Sequence, residues 1–341
     1  MAITYNIVDF RGKAAEPIME ELLFENETVR DGLVTFQDDI KAETIFTEAS
    51  ASATMQAYTS GAPSSAGSLD AFDVAVTPVK VQYYQEFDPN TIRFSRFKRD
   101  MAPGAWNILS GEFERVVIGG VYAKNISASL ESLYWNNALA ATKVSIAALV
   151  AGVLQTEIGA EEKTLAAATT AGLFDGVVTT MMYNASNATA TPGVGGRIKV
   201  VGTTITSANI KAEYDKVYAA IPAVVLAGAV SPPYIYAPRS HKQLINIYDS
   251  DPTNFRDAFD VSADRKSYFY NGVEIKFVPI PENVLIAAKK EHLHWCTDLV
   301  GDVNTMQIDK IAANREDMFL KNNLTVIPHV QNQAFNVLYV G

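Results

Sequence analysis

Residues 49–69, ASASATMQAYTSGAPSSAGSL, run without one charged side chain, and strand-like sequence flanks them on both sides. On the C-terminal side Phe72, Val74 and Val76 alternate with Asp73, Ala75 and Thr77, the period of a strand with one apolar face. After Pro78 the alternation resumes one residue out of phase as Val79, Val81 and Tyr83. A slip at a proline predicts a bulge or bend in an edge strand, where no ladder bond is asked of the proline nitrogen. On the N-terminal side Ile45, Phe46, Met55 and Tyr58 support a weaker returning strand. Residues 40–87 are therefore predicted to form a long two-stranded ribbon whose tip, SGAPSSAGS at 60–68, is small, polar and turn-forming. Two strands alone are marginally stable in water, so this ribbon is expected to lie on a neighbour.

The chain has 341 residues, 48% of them hydrophobic and 19% charged, enough to bury a sizeable core in two domains or one elaborate one. Its formal charge of -10 argues against a general affinity for nucleic acid phosphate, which needs an excess of lysine and arginine. The most basic short run, RFSRFKR at 93–99, reads as a solvated or inter-subunit ion-pairing segment. A single cysteine, Cys296, excludes an intrachain disulfide framework and fits a reducing compartment. The opening MAITYNIVDFRGK carries Asp9, Arg11 and Lys13 and has no apolar core of signal-peptide length. The longest apolar runs, 144–154 and 217–230, are too short to span a bilayer, and the second contains Pro222. The expected setting is a cytoplasm, with no membrane partner.

Residues 1–32 read as an arm with a helix at 16–28, Pro17 falling in its first turn where a missing N–H is harmless. From 106 to 137 a long helical pattern places Ile118, Tyr122, Ile126, Leu130, Leu133 and Tyr134 on one face, weakened locally by Gly119 and Gly120. Further helices are predicted at 139–158 and 173–183, then a loop at 184–196 and a short strand at 197–202. Ser207 reads as an N-cap for a stripe of Ile210, Tyr214, Val217, Tyr218 and Ile221 that Pro222 ends. A strand at 234–237 and a helix at 241–248 capped by Ser240 follow. Asn271-Gly272, between YFY and VEIKF, is the strongest hairpin signal, since both residues accept the positive φ of a type I′ turn. Strands are predicted at 284–288, 292–296, 306–312, 320–327 and 335–340. Helices and strands are segregated along the chain, so the class is α+β.

His292, His294 and Cys296 would share one face of a strand, and two imidazoles with a thiolate are zinc ligands. Neighbouring positions on one strand rarely supply three ligands to one tetrahedral ion, and no electropositive setting that would activate the thiol is visible. They read as a buried small hydrophobe and two sheet-edge histidines. The PGVGG at 192–196 lacks the Lys and Ser/Thr of a phosphate-binding loop and precedes a strand, so it reads as a hinge. Glu20-Glu21, Asp38-Asp39 and Glu161-Glu162 read as solvated charges. No catalytic, cofactor-binding or metal-ligating residue is assigned and the chain is not read as an enzyme; a metal- or thiol-dependent hydrolase using His292, His294 and Cys296 is the competing class.

Taken whole, this order of parts resembles the major capsid protein of tailed bacteriophages, the Hong Kong ninety-seven-type fold. Two stretches carry the local likeness: Phe174-Asp-Gly176 opening a helix, and Pro281-Glu-Asn-Val284 leading to Leu293-His-Trp-Cys-Thr-Asp298. The resemblance implies an N-terminal arm at 1–32, an extended two-stranded E-loop with the start of the peripheral domain at 33–97, and the spine helix with more of that domain at 98–171. It places an axial domain at 172–283 and a returning peripheral-domain sheet at 284–341. It further implies hexamers and pentamers of an icosahedral shell that encloses double-stranded DNA without specific binding, in a virion capsid assembled in the host bacterial cytoplasm. The type member's N-terminal scaffolding extension is missing here, which implies a separate scaffolding protein besides a portal and decoration proteins. An encapsulin-like protein compartment is the alternative within the fold and would need a cargo-peptide groove. Contact with the neighbouring subunit is expected from the E-loop residues Met55, Tyr58, Leu69 and Phe72. Some members of the family join an E-loop lysine to a neighbour's asparagine, but no lysine occurs here between Lys41 and Lys80, so a noncovalent shell is expected.

The charge balance makes one prediction. At about 0.15 M salt, where screening leaves only short-range attraction, unassembled subunits should retain no duplex DNA in a mobility-shift assay; tight, salt-sensitive binding would show that residues 93–99 act as a DNA patch.

Overall fold

The computed structural model describes residues 8–10, 27–40, 43–53, 55–58, 60–61, 64, 67–88, 122, 124–148, 172–186, 198–227, 231–251, 258–262, 266–298, 305–311, 317–332 and 335–341. Its first elements are β1 (Val8–Phe10), α1 (Glu27–Arg30), β2 (Thr35–Gln37), β3 (Thr44–Ala53), β4 (Gly67–Val76) and β5 (Val79–Phe87). Three helices follow, α2 (Lys124–Asn136), α3 (Ala140–Ala148) and α4 (Val177–Ser186). Next come β6 (Ile198–Val201), α5 (Ile210–Ala220), α6 (Ala223–Leu226), β7 (Tyr234–Pro238) and α7 (His241–Ser250). The remainder is β: β8 (Phe259–Val261), β9 (Tyr268–Tyr270), β10 (Val273–Val278), β11 (Val284–Ala288), β12 (Leu293–Thr297), β13 (Thr305–Lys310), β14 (Met318–Val330) and β15 (Val337–Val340). The class is α+β, as expected. The fold divides into two compact units: Met1–Ala42, Pro78–Leu133 and Trp295–Ile327 form one, and Glu43–Thr77, Tyr134–His294 and Pro328–Gly341 the other.

In the first unit β14 is the hub of a sheet ordered β1-β13-β14-β12-β2, with β5 also paired to β14. Leu320, Asn322, Leu324 and Val326 are buried while Phe319, Lys321 and Asn323 are only partly so, the two-residue period of a strand with one covered face. β5 runs antiparallel to it from Met318↔Phe87 to Val326↔Val79. Helix α2 buries Ile126 and Leu130 one turn apart, as its stripe predicts. Its buried Glu131 carboxylate accepts from the Thr28 N–H at 3.1 Å and the Thr28 hydroxyl at 2.7 Å, which ties α1 to the helix and satisfies a buried charge.

The ribbon is shorter than residues 40–87. It consists of β3 and β4 in ten consecutive pairs from Thr44↔Val76 to Ala53↔Gly67, a two-stranded sheet of its own. β5 does not extend it. The phase slip at Pro78 is the point where the chain leaves one sheet for another, and the proline's missing N–H suits it to a residue between two ladders.

The second unit is built on a seven-stranded sheet ordered β6-β15-β11-β7-β10-β9-β8. β15 pairs parallel with β6 and β10 with β7; the other neighbours are antiparallel. Residues 284–341 therefore do not return to one sheet as expected: β11 and β15 enter this one, while β13 and most of β14 belong to the other. Every residue of β11 (VLIAA) and β15 (VLYV) is buried, which suits interior strands covered on both faces. From α5 the predicted stripe supplies Ile210, Tyr214, Val217 and Ile221 to a core that includes Ile235, Ile275, Leu285 and Tyr339. Asn271 and Gly272 have φ of 46° and 80°, the positive pair that a type I′ turn requires.

Local starts and stops differ where a polar side chain has another task. The helix expected from 173 begins at Val177, because Asp175 caps α3 instead, accepting from the Leu139 N–H at 2.8 Å and the Thr142 hydroxyl at 2.7 Å. Ser207 is not the cap of α5. That position is Asn209, whose Oδ1 turns back to accept from the Thr206 N–H at 2.7 Å. Ser240 does hold the N-cap position of α7, without a side-chain cap bond among the described residues. β12 starts at Leu293, since His292 closes a 3-10 turn. The expected helical segments 16–26, 106–121 and 149–158 lie outside the described residues.

One close approach is diagnostic. A Cβ built on Gly202 would overlap the Tyr339 phenol, whose hydroxyl lies 2.7 Å from Glu213 Oε2 and 2.9 Å from the Thr203 carbonyl. Gly202→Ala is expected to cost about 1–3 kcal/mol in urea denaturation, the range for forced overpacking. Unchanged stability would show that the Tyr339 ring moves freely.

Candidate functional site

The ribbon is exposed at its tip and anchored at its root. At the tip Met55 and Tyr58 are 99% and 93% exposed, and the Gln56 side-chain amide donates to the Ser64 carbonyl at 2.6 Å across the turn. Along its length the exposed register partners Thr47 and Asp73 share a 2.7 Å hydrogen bond, and Ile45 is 61% exposed. The next residue, Phe46, is buried, as strand alternation requires.

At the root Phe46 stacks on His329 with ring centroids 4.5 Å apart and tilts against His294 at 5.2 Å. Gln331 clamps the adjoining backbone. Its Nε2 donates to the Thr47 carbonyl at 3.4 Å while its Oε1 lies 3.0 Å from His294 Nε2. Glu48 is buried; burial pushes its carboxyl up, and the Asn332 N–H that it accepts pulls the other way. Asn332 has φ of 50°, left-handed backbone that asparagine tolerates better than most residues. Burial pushes His329 down to about 4, the adjacent His294 adding to the shift. His294 is lowered first by burial and then by His292, against the opposing bond to Gln331. Both imidazoles are therefore neutral at neutral pH.

Of the residues predicted to touch a neighbour, Met55 and Tyr58 sit together at the tip, whereas Leu69 pairs with Ala51 and Phe72 with Glu48 in the ladder. The root was not foreseen. Phe46 read as an ordinary strand residue, and nothing local in the sequence links it to His294, His329 or Gln331.

The trio His292, His294 and Cys296 does not converge. His292 Nδ1 lies 2.8 Å from Asn336 Oδ1, His294 turns to Gln331, and Cys296 is fully buried, its thiol pushed up to about 12 by burial. Among the described residues no group of three or more His, Cys, Asp or Glu is placed to hold a metal ion. An open depression of about 560 Å³ on the second unit is lined by Arg239, Lys242, Gln243, Asn246, Ile247 and Ser250, all from α7 and the turn before it. It brings together no carboxylate and no base beside its one hydroxyl, and Ser250 Oγ already donates to the Asn246 carbonyl at 2.6 Å.

The Cys296 thiol should be inert to thiol reagents at pH 8 in the folded chain and titrate as one equivalent after denaturation. Cys296→Ala should cost less than about 2 kcal/mol and leave assembly intact; stoichiometric zinc in the purified protein would contradict this.

No protein-family model matches the chain, and no curated protein does. Solved structures do. A chain of the satellite phage P4 procapsid structure matches 100% of this chain and 92% of its own length, with a TM-score of 0.56 at 12% identity. A chain of the Mycobacterium phage Bobi structure matches 100% and 94%, with a TM-score of 0.51 at 12% identity. Such identities speak to fold, and function has to be argued from the parts. The chain has the fold of the tailed-phage major capsid proteins of the Hong Kong ninety-seven type.

Proposed function

We propose that this chain is a major capsid protein whose hexamers and pentamers tile an icosahedral shell around double-stranded DNA. The observation that supports it most is the β3–β4 ribbon, ten register pairs in a sheet with no third strand among the described residues and with Met55 and Tyr58 almost wholly exposed at its end. Two strands with a solvated tip bury too little to hold themselves, and large exposed side chains gathered at one point mark a contact surface. The occupant is a second copy of the chain, met by Met55, Tyr58, Leu69 and Phe72. Closed symmetry then multiplies a modest contact over every copy. In this reading the role is structural and not enzymatic, a separate scaffolding protein directs assembly in the host bacterial cytoplasm, portal and decoration proteins join the virion, and the DNA is confined without specific binding. In this reading residues 1–32 act as the arm, β3 and β4 as the E-loop, 98–171 as the spine helix with part of the peripheral domain, 172–283 with β11 and β15 as the axial domain, and β13 and β14 as part of the peripheral sheet.

Electron microscopy of the expressed protein with its scaffold should show closed shells or capsomers; a compact monomer or dimer alone would overturn the reading, and shells made only around protein cargo would favour a compartment. Deleting residues 59–68 and closing the ribbon with Asn-Gly, which favours a tight hairpin, should leave a folded subunit that no longer assembles. Mature particles should run as a single band near 37 kDa on denaturing electrophoresis, because the ribbon has no lysine to crosslink.

A further inference from the structure

We propose that His294 and His329 form a pH-sensitive latch at the ribbon root: neutral, they seat Phe46 and, through Gln331, the Thr47 carbonyl; protonated, they release both. The two rings lie 5.9 Å apart, and each contacts Phe46. Gln331 Oε1 can only accept, so His294 Nε2 carries the hydrogen and Nδ1 is the bare nitrogen. That Nδ1 and Nε2 of His329 are buried and have no hydrogen-bond partner among the described residues. Either imidazolium carries a buried N–H at that nitrogen with no acceptor among the described residues, beside a second imidazole. Cation–π attraction to Phe46 offsets part of one charge, but two cations 5.9 Å apart repel across a poorly solvated gap.

The other groups around the latch do not reverse this. Glu291 and His292 occupy the turn before β12, with Lys289 preceding them; the backbone at Glu291 favours the charged form of His294, and His292 opposes it. Asp73 on β4 is bound to Thr47, and from α2 the Tyr134 hydroxyl donates to the His294 carbonyl at 3.3 Å. Glu48 on β3 is a further counterweight. Its raised carboxyl gains a proton on acidification at a benefit to the folded root, opposite in sign to the histidines. Both imidazoles have folded-state values below 6.5, so their hold is complete above about 6.5 and is lost as pH falls from there toward 4. The latch is a property of the single chain. Only its consequence, that mild acid frees the ribbon to change its seat on a neighbour, rests on the capsid reading.

The test is backbone hydrogen exchange of residues 44–53 in the unassembled full-length chain at pH 8 and pH 5, corrected for intrinsic rates. Protection should fall about tenfold or more, the equivalent of at least one pKa unit, while amides of 79–87, in β5, are unchanged. The doubly substituted His294→Gln, His329→Gln chain should lose the pH response, and Glu48→Gln should keep it. Constant protection in the parent chain, or the same loss in the double variant, overturns the latch. Should the double variant not fold, imidazole NMR titration of the parent decides: assigned His294 and His329 resonances titrating below 6.5 in step with the exchange support the latch, and titration without loosening overturns it. A latch that responds in a chain that forms no shells would count against the capsid reading alone.

Discussion

A two-stranded sheet satisfies only the inner edge of each strand, and that shortfall organises this molecule. In β3 and β4 the ten pairs use the facing N–H and C=O groups, and beyond the Thr47 carbonyl held by Gln331 the outward groups are open to water or to another chain. Stability therefore has to come from the ends. At the tip it does not, since the residues there are small or fully exposed. At the root it does, through one buried aromatic side chain between two imidazoles, one clamped carbonyl and one buried carboxylate on a backbone N–H. The result is a ribbon held at its root and open at its tip.

The seven-stranded sheet from which the second unit is built is braced by a few buried polar groups with well-placed partners. Tyr214 Oη lies 3.1 Å from His241 Nδ1, and His241 Nε2 lies 2.9 Å from the Glu282 carbonyl, so Nε2 donates and Nδ1 accepts. Burial holds that histidine neutral, at about 4. Burial also works against the charge on Glu213, yet bonds from Lys216, Tyr339 and Thr203 hold its carboxyl below the usual range. The Tyr214–His241, His241–Glu282 and Tyr339–Glu213 bonds join residues far apart in sequence, so each of these fixes a chain crossing as well as a side chain.

Histidine serves here as a packing residue with a polar edge. His241, His292 and His294 each place a ring nitrogen near an oxygen, and burial lowers all three, as it does His329. In that pattern the imidazoles of His292 and His294 and the thiol of Cys296 have separate surroundings. His292 stands in the turn before β12, and the two histidines bond different partners, Asn336 and Gln331.

What the sequence by itself determined is local. The Asn271-Gly272 turn, the stripe from Ile210 to Ile221, the stop at Pro222 and the strand character on either side of residues 49–69 follow from dihedral preferences and period, which a dozen residues contain. Tertiary structure alone decided the pairings. Val79 finds Val326, and Val337 finds Ile198; Phe46 finds His329. A period says which face of a strand is buried and nothing about which strand lies beside it, so the departure of β5 from the ribbon and the division of residues 284–341 between two sheets had no local signal. The same holds for the root, because an apolar residue next to a polar one reads alike whether it meets a core, a neighbour or two neutral histidines.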